Sequence, residues 1–167
     1  GLRSFTQMDS AEKELFNVYN GINDTLRILS YKLKDRIRVV KDLAEGINEI
    51  RCYPNQLNQV FLNIFSNAIQ AIEKKGTITI ITKVHKNMLE IKIQDDGVGM
   101  TEEVLQHIFE PFYTTKDVGS GVGLGLSISY GIIQELNGKI KANSELGKGS
   151  EFIITLPFEK SHGDASN

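Results

Sequence analysis

Several features that would mark a secreted, membrane-embedded or nucleic-acid-binding protein are scarce in this sequence. Its 167 residues include one cysteine, Cys52, so no disulfide can form within the chain, and a small buried apolar side chain is the expected role. No apolar run approaches the roughly 20 residues of a membrane-spanning helix, and the polar first residues predict no signal peptide. The 19 Lys and Arg are outnumbered by 21 Asp and Glu, so the basic face typical of nucleic-acid binding is not expected. We therefore expect neither nucleic acid nor membrane among the contacts of this chain.

What is present is the pattern of one compact domain that mixes helices and strands. Apolar spacing predicts a helix over residues 11–33, interrupted at Gly21, and a long helix from Pro54 to about Lys75. The other predicted elements are strands at 37–40, 50–53, 77–84, 89–93, 139–143 and 150–156 and helices at 102–107 and 123–136. This order predicts an α+β two-layer sandwich, in which a mixed, mostly antiparallel sheet of about five strands is covered on one face by about three helices.

The long helix carries amide side chains opposite its apolar face. The residues on the side opposite the apolar face are Gln59, Asn63, Ser66, Asn67 and Gln70. Asparagine is a mediocre helix former, so two asparagines one turn apart need a reason. An amide oxygen can ligate a hard cation such as Mg²⁺ together with substrate phosphates. A solvated polar face is the alternative, and this pair of residues does not by itself decide between them.

An acidic residue and two glycines directly follow a predicted strand, in the run from Asp95 to Met100. The carboxylate of Asp95 could accept a hydrogen bond from the exocyclic amine of a flat heterocycle, and Gly97 and Gly99 would let backbone approach the ring. An ordinary Asp-Gly turn is the alternative.

A second glycine-rich run, residues 119–126, leads into the last predicted helix. Glycines before a helix N-terminus expose backbone N–H groups to an anion, and the helix dipole adds to the attraction. A flexible linker is disfavoured because the glycines alternate with Val122, Leu124 and Leu126. The run does not follow a strand directly, so it is no dinucleotide fingerprint, and the sequence has no P-loop motif.

These three segments, in this order and spacing, resemble the N, G1 and G2 boxes of the GHKL (Bergerat-fold) ATP-binding superfamily. Between the last two boxes, Phe109 to Phe112 is similar to the F box of sensor histidine kinases, and Phe112 to Lys116 is similar to the F-[FY]-T-T-K stretch of their nitrogen-regulator type. The resemblance covers residues 35–158. It implies binding of ATP with Mg²⁺ and transfer of the γ-phosphate to a histidine in two-component signalling.

The resemblance also implies a role for each matching residue. Asn67 would supply the Mg²⁺ ligand, and Asn63 would act at the catalytic site by helping to hold the metal or the phosphates. Asp95 would hydrogen-bond the adenine amino group, while Gly97 and Gly99 would admit the base. The residues assigned to binding the phosphates or forming a lid over them are Lys116, Gly121, Val122, Gly123, Leu124, Gly125 and Leu126.

The remaining roles that the resemblance implies are less direct. Lys116 is the catalytic candidate for a phosphate-contacting cation, unless it is a solvated lysine. Phe109 and Phe112 would seat the lid, unless they are ordinary core residues. Thr155 belongs to the terminal run that resembles the end of the family domain and is counted among the nucleotide-binding residues. Gln70 stands where many sensor kinases have a lysine, so no cation on the long helix is expected to meet the phosphates.

The resemblance leaves more than one function open. Related hydrolases place a water-activating glutamate where this chain has Asn63, and an amide cannot act as a general base at neutral pH. We therefore favour a histidine kinase domain over a hydrolase. A nucleotide-gated binding module, in which ATP switches affinity for a partner, and a serine kinase of the same superfamily also stay open. Transfer to an added phosphoacceptor domain would support the kinase, and binding without transfer the module.

The implied partner is the dimerisation and phosphoacceptor domain of the same protein, with a response regulator served indirectly. Residues 1–10 are interpreted as a remnant of that domain or its linker, 11–158 as the catalytic ATP-binding domain and 159–167 as a disordered tail. The domain is expected to be cytoplasmic and, in isolation, monomeric.

The first testable prediction concerns the phosphoacceptor. His85, His107 and His162 all lack the acidic neighbour and long-helix setting of the family's acceptor histidine. The chain incubated alone with γ-labelled ATP and Mg²⁺ is therefore expected to acquire no acid-labile, base-stable phosphate. Phosphohistidine on the isolated chain would contradict this expectation.

Overall fold

A computed structural model describes residues 12–46, 48–114 and 125–158. The predicted remnant at 1–10 and the predicted tail at 159–167 lie outside these ranges. The strands are β1 (Glu14–Asn17), β2 (Ile37–Asp42), β3 (Glu49–Cys52), β4 (Gly76–His85), β5 (Met88–Asp95), β6 (Lys139–Glu145) and β7 (Gly149–Pro157). The helices are α1 (Val18–Ile28), α2 (Ser30–Leu33), α3 (Pro54–Ala71), α4 (Glu102–Leu105) and α5 (Gly125–Glu135). No helix in the described ranges is both long enough and apolar enough to span a membrane.

The main sheet has five strands in the order β2-β4-β5-β7-β6. β2 runs parallel to β4, and the other neighbouring pairs are antiparallel. The predicted mixed, mostly antiparallel sheet of about five strands is therefore confirmed. A separate two-stranded ribbon pairs β1 with β3.

Alternation along the strands divides the sheet into a covered face and an open face. In β5, Leu89, Ile91 and Ile93 are buried, while the residues between them are half-buried. The covered face packs on α3, which α1 and α5 flank, and the three helices and the sheet share one hydrophobic core. Tyr19 ties α1 to the sheet, because its hydroxyl hydrogen-bonds both the Thr82 hydroxyl and the Ala44 carbonyl at 2.7 Å. The helices thus cover one face, as the sequence predicts.

The long helix α3 begins at Pro54 as predicted but ends at Ala71, short of the predicted Lys75. Tertiary partners take the carbonyl groups at its end. Val98 N–H donates to the Ala71 carbonyl at 2.9 Å, and the Arg36 guanidinium donates to the carbonyls of Ile72 (2.6 Å) and Lys74 (3.1 Å). These contacts come from remote segments and leave no local signal in the helix.

The prediction of one helix over residues 11–33 is wrong in its first part. Residues 14–17 form β1, which pairs with β3 more than thirty residues later, and the Asn17 side chain caps α1 by accepting from the N–H groups of Tyr19 and Asn20. Gly21 does not interrupt α1. It is buried where α1 crosses α3, and an added Cβ would lie 2.6 Å from Asn58 Oδ1 and 2.8 Å from the Phe16 ring.

Gly21→Ala is expected to destabilise the protein by about 1–3 kcal/mol, because overpacking at this crossing outweighs the roughly 1 kcal/mol by which alanine favours a helix. Gly131→Ala is the matched control: Gly131 is an exposed position of α5, and an added Cβ would meet nothing within 4 Å. That control should stabilise the protein by about 0.5–1 kcal/mol. Urea unfolding measures both, and a gain in stability for Gly21→Ala would contradict the packing argument.

Candidate functional site

Asn63, one of the two α3 asparagines predicted to act at the site, contacts the start of α5. Asn63 Nδ2 donates to the Gly125 carbonyl at 2.8 Å and to the Ser129 hydroxyl at 3.0 Å, while Asn63 Oδ1 accepts from Gln59 at 2.8 Å. Asn67 lies one turn later and is half-buried. Asn63 therefore joins α3 to the N-terminus of α5, a contact that sequence reasoning did not anticipate.

The segment from Asp95 to Met100, which we name the floor loop, starts at a buried carboxylate. Asp95 is 9% exposed, and Gly97 N–H donates to its Oδ1 at 2.9 Å. Burial raises the pKa of Asp95 above its ordinary value, the backbone N–H groups of Gly97 and Ser150 oppose this rise, and the charge of Asp96 adds to it. A buried carboxylate next to a loop is well suited to accept a hydrogen bond from a ligand amine.

Two segments hold the floor loop from opposite sides. Val98 N–H donates to the Ala71 carbonyl at the end of α3, and Gly147 N–H, in the β6–β7 turn, donates to the Val98 carbonyl at 2.7 Å. A Cβ on Gly97 would lie 2.4 Å from the Ala71 oxygen. Gly99 has φ +72°, and its added Cβ would lie 2.1 Å from the Glu145 oxygen. Packing within the protein already requires both glycines, so their contact with a base stays a prediction.

The second glycine-rich run lies mostly outside the described residues. The predicted site residues in the undescribed part are Lys116, Gly121, Val122, Gly123 and Leu124. Gly125 begins α5, and its carbonyl accepts hydrogen bonds from Asn63 and Ser129. Leu126 packs half-buried against the hydrophobic core. The structure thus brings Gly125 next to Asn63 on α3.

Thr155 lies apart from Asp95, and its assignment to nucleotide binding stays a prediction. Strand register places Ser150, at the start of β7, opposite Asp95. Thr155 is five residues further along β7, about 17 Å away at strand spacing, and an odd offset turns its side chain to the other face of the sheet. Ser150 is the neighbour that sequence reasoning missed. The glycine-rich turn before it is the only local signal, and the pairing with Asp95 depends on register.

The two phenylalanines of the segment before the glycine-rich run differ in environment. Phe109 packs against Tyr130 and Phe152, with ring centroids 5.5 and 6.4 Å away. Phe112 is 74% exposed and has φ +67°, an unusual conformation for a bulky residue. Phe109 is thus a core-packing residue, while seating of the lid by either ring stays a prediction.

The donor set of the site suits a nucleotide with a hard cation. Among the described residues no group of three or more His, Cys, Asp or Glu side chains could hold a metal ion. An amide oxygen is a ligand of the hard, oxygen type that Mg²⁺ takes, and phosphate oxygens of a bound ligand usually complete such a site. Asn67 and Asp95 fit the ends of such a ligand, because an amide oxygen ligates a cation and a buried carboxylate accepts from an amine.

Residues 52–160 match the model of one ATPase family. The chain belongs to the family of histidine kinase-, DNA gyrase B- and HSP90-like ATPases. Within that family its likeness is to the catalytic domains of histidine kinases.

Known proteins illustrate this likeness. Sporulation kinase E of Bacillus subtilis (strain 168) is 41% identical over 148 residues, which are 87% of this chain and 20% of that protein. The nucleotide-free catalytic domain of histidine kinase ThkA is 28% identical with a TM-score of 0.79, over 87% of this chain and 95% of that one. ThkA in complex with the response regulator protein TrrA matches with 26% identity and a TM-score of 0.74, over 88% of this chain and 42% of that one. The chain thus spans about a fifth of the length of the curated relative.

The environment of Asp95 predicts a pH-dependent stability. Because its pKa is raised in the folded state, the unfolded chain loses this proton first, and stability falls as pH rises from the unfolded pKa of about 3.9 through the folded pKa. Asp95→Asn removes the ionisable group and with it this loss of stability. Its free energy of unfolding is expected to exceed that of the wild type at pH 7, and the difference should shrink as the pH is lowered towards 4. Urea unfolding across this range makes the measurement.

Glu151→Gln is the control, because its effect on stability at pH 7 should have the opposite sign. Hydrogen bonds from Asn143 and Gln94 lower the pKa of Glu151, so its ionised form stabilises the fold above the unfolded pKa, and this contribution is lost as pH falls through the folded pKa. Glu151→Gln should thus lower stability at pH 7. A pH-independent effect of Asp95→Asn would contradict the assignment of a raised pKa.

Proposed function

We propose that this chain binds Mg-ATP and donates its γ-phosphate to a histidine on a phosphoacceptor domain elsewhere in the same protein. The observation that carries the proposal is the buried carboxylate of Asp95 at the mouth of the floor loop, in a chain that belongs to an ATPase family. The kinase relatives, among them sporulation kinase E, support the choice of histidine kinase chemistry.

In this proposal Asp95 selects adenine. Its carboxylate accepts a hydrogen bond from the exocyclic amine, which guanine replaces by a carbonyl oxygen that would face the acid without a proton. The Gly97 N–H already donates to the carboxylate, so little rearrangement is needed when the base binds. Because Gly97 and Gly99 have no side chains, a flat ring can lie against the backbone of the floor loop.

The phosphates extend along α3 towards the start of α5. Asn67 ligates Mg²⁺ through its amide oxygen, and Asn63 helps to hold the metal or the phosphates. When bound, the ion supplies positive charge that offsets the charge on the phosphate oxygens. The residues that close over the phosphates are Lys116, Gly121, Val122, Gly123, Leu124, Gly125 and Leu126. Asn63 is well placed for this role, because its amide already contacts the Gly125 carbonyl.

The polar side of α3 favours transfer over hydrolysis. It carries amides and a hydroxyl but no carboxylate from Pro54 to Ala71, so no general base is available there to activate water, and a positioned base typically contributes about 10²–10⁴-fold. Positioning and charge neutralisation, which suffice for phosphoryl transfer, are what this site can offer. His107 contacts Glu110 and stacks near Tyr113, so it is interpreted as a structural histidine and not as the acceptor.

The remaining assignments follow from this role. We assign residues 11–158 to the catalytic domain and residues 1–10 to a remnant of the dimerisation and phosphoacceptor domain or its linker. A response regulator receives the phosphate at the next step, by analogy with the complex of ThkA and TrrA. Because ATP is made and used in the cytoplasm, the domain works there.

Calorimetric titration with ATP tests the site. Asp95→Asn removes a hydrogen bond to a charged acceptor, which is typically worth about 1.5–3 kcal/mol, so ATP binding should weaken about 10- to 100-fold. Asn67→Ala should abolish the gain in ATP affinity that Mg²⁺ gives the wild type, while binding in EDTA is retained. Asn143→Ala is the control, because Asn143 lies in β6 and bonds Glu151 on the open face.

The outcomes separate the candidate functions. If neither Asp95→Asn nor Asn67→Ala altered binding, the site assignment would be wrong. If ATP bound as expected but a longer form of the protein that includes the acceptor domain gained no phosphohistidine, the chain would be a nucleotide-gated binding module. Steady release of phosphate by the isolated chain would indicate a hydrolase.

A further inference from the structure

We propose that Ser144 is a positioning residue, whose hydroxyl fixes the floor loop in the shape that selects adenine. This inference rests on the proposed function and deepens it. Ser144 lies in β6, next to the β6–β7 turn, at a position that no sequence motif singles out. It need not touch the nucleotide, because it acts through the backbone groups that it holds.

The hydroxyl of Ser144 makes three hydrogen bonds. It accepts a hydrogen bond from Met100 N–H at 2.7 Å, donates to the Gly149 carbonyl at 2.9 Å and pairs with the Ser150 hydroxyl at 2.8 Å. A hydroxyl has one proton to donate and two lone pairs, so these three partners saturate it. One side chain thus joins the last residue of the floor loop to the first two residues of β7.

The start of β7, which Ser144 holds, lies next to Asp95. Strand register places Ser150 opposite Asp95, and the Ser150 N–H lowers the pKa of the Asp95 carboxyl. Gly149 has φ +117°, and an added Cβ would lie only 2.0 Å from the Asp95 carbonyl oxygen. A shift of Gly149 or Ser150 would therefore move a donor that orients the carboxylate. The other end of the loop would move as well, because Met100 would lose its acceptor.

The turn next to Ser144 supports the middle of the loop. Gly147 N–H donates to the Val98 carbonyl, and Lys148 N–H closes the turn on Glu145. Without the bond from Ser144 to Met100, the turn and the floor loop would be joined mainly through Val98. Ser144 therefore fixes the distance between the two, and this distance decides how a flat base lies above Gly97.

Two substitutions of matched shape isolate the hydroxyl. Ser144→Thr keeps it, Ser144→Val replaces it by a methyl group of the same shape, and both residues are good strand formers. Asn143→Ala is the neighbouring control, since that side chain bonds Glu151 on the open face. The 167-residue chain is used throughout, with thermal unfolding to confirm that each variant is folded at the assay temperature. Ser144→Ala replaces the Val variant if the latter is unfolded.

The readouts are the affinities for ATP and GTP and the hydrogen exchange of the Met100 amide. We expect Ser144→Val to bind ATP roughly ten-fold more weakly than Ser144→Thr, an effect in the usual range for indirect coupling. GTP affinity should change less, so that selectivity for ATP falls. The Met100 amide should exchange faster in the Val variant than in the Thr variant, because it has lost its acceptor. Ser144→Thr should restore both readouts to near wild-type values.

The failures are distinguishable. If the wild-type chain does not bind ATP, the proposed function is wrong. If the wild type binds ATP but the folded Val and Thr variants bind it within about two-fold of each other and with equal selectivity, the positioning role of Ser144 is overturned, since indirect coupling would give a larger difference. Equal loss of ATP and GTP affinity in a folded Val variant would also overturn it, because that result would indicate a general structural role.

Discussion

The backbone of Val98 is hydrogen-bonded on both sides, and the geometry of the site depends on this. Its N–H donates to the last carbonyl of α3, at Ala71, and its carbonyl accepts from Gly147 in the β6–β7 turn. Val98 thereby joins the helix layer to the β6–β7 hairpin, whose strand β6 forms one edge of the sheet. The floor loop can lie in this narrow space because Gly97 and Gly99 have no side chains, and a Cβ at either position would collide with a backbone oxygen.

The floor loop begins at the buried carboxylate of Asp95, and burial is unfavourable for its charge. Asp95 ends β5 on the covered face of the sheet, in the row of Leu89, Ile91 and Ile93. Isolated there, a carboxylate would favour its protonated form, and N–H groups from two different segments offset part of that cost. The pKa of Asp95 stays raised, so that offset is incomplete, and in the proposed function the ligand amine would offset more of the cost. The free protein is less stable at neutral pH for having this group.

A second link joins the two halves of the site. The Asn63 amide bridges α3 and α5 through Gly125 and Ser129, at the point where the glycine-rich run enters its helix. An amide can donate and accept at once, so Asn63 can hold α5 through its nitrogen while its oxygen serves another partner. The position of the second glycine-rich run is therefore coupled to the helix that carries the asparagines, and both depend on α3 staying buried in the core.

Local signals in the sequence determined much of this protein. Alternation of β-branched residues predicted the β4–β5 hairpin, and Pro54 predicted the start of α3. The order of the glycine-rich segments predicted the family, while the role of Asp95 stays a proposal. Each of these depends on residues close together in the chain.

Only the tertiary structure decided the rest. Residues 14–17 form a strand because β3 pairs with them from a distance, and Gly21 stays in its helix because α3 packs too close for a side chain. Register along β7 brought Ser150 to Asp95 and turned Thr155 away. Contact between the β6–β7 hairpin and the floor loop brings the Ser144 hydroxyl to Met100. These outcomes depend on contacts between segments far apart in sequence, and neither side-chain period nor composition carries information about such register.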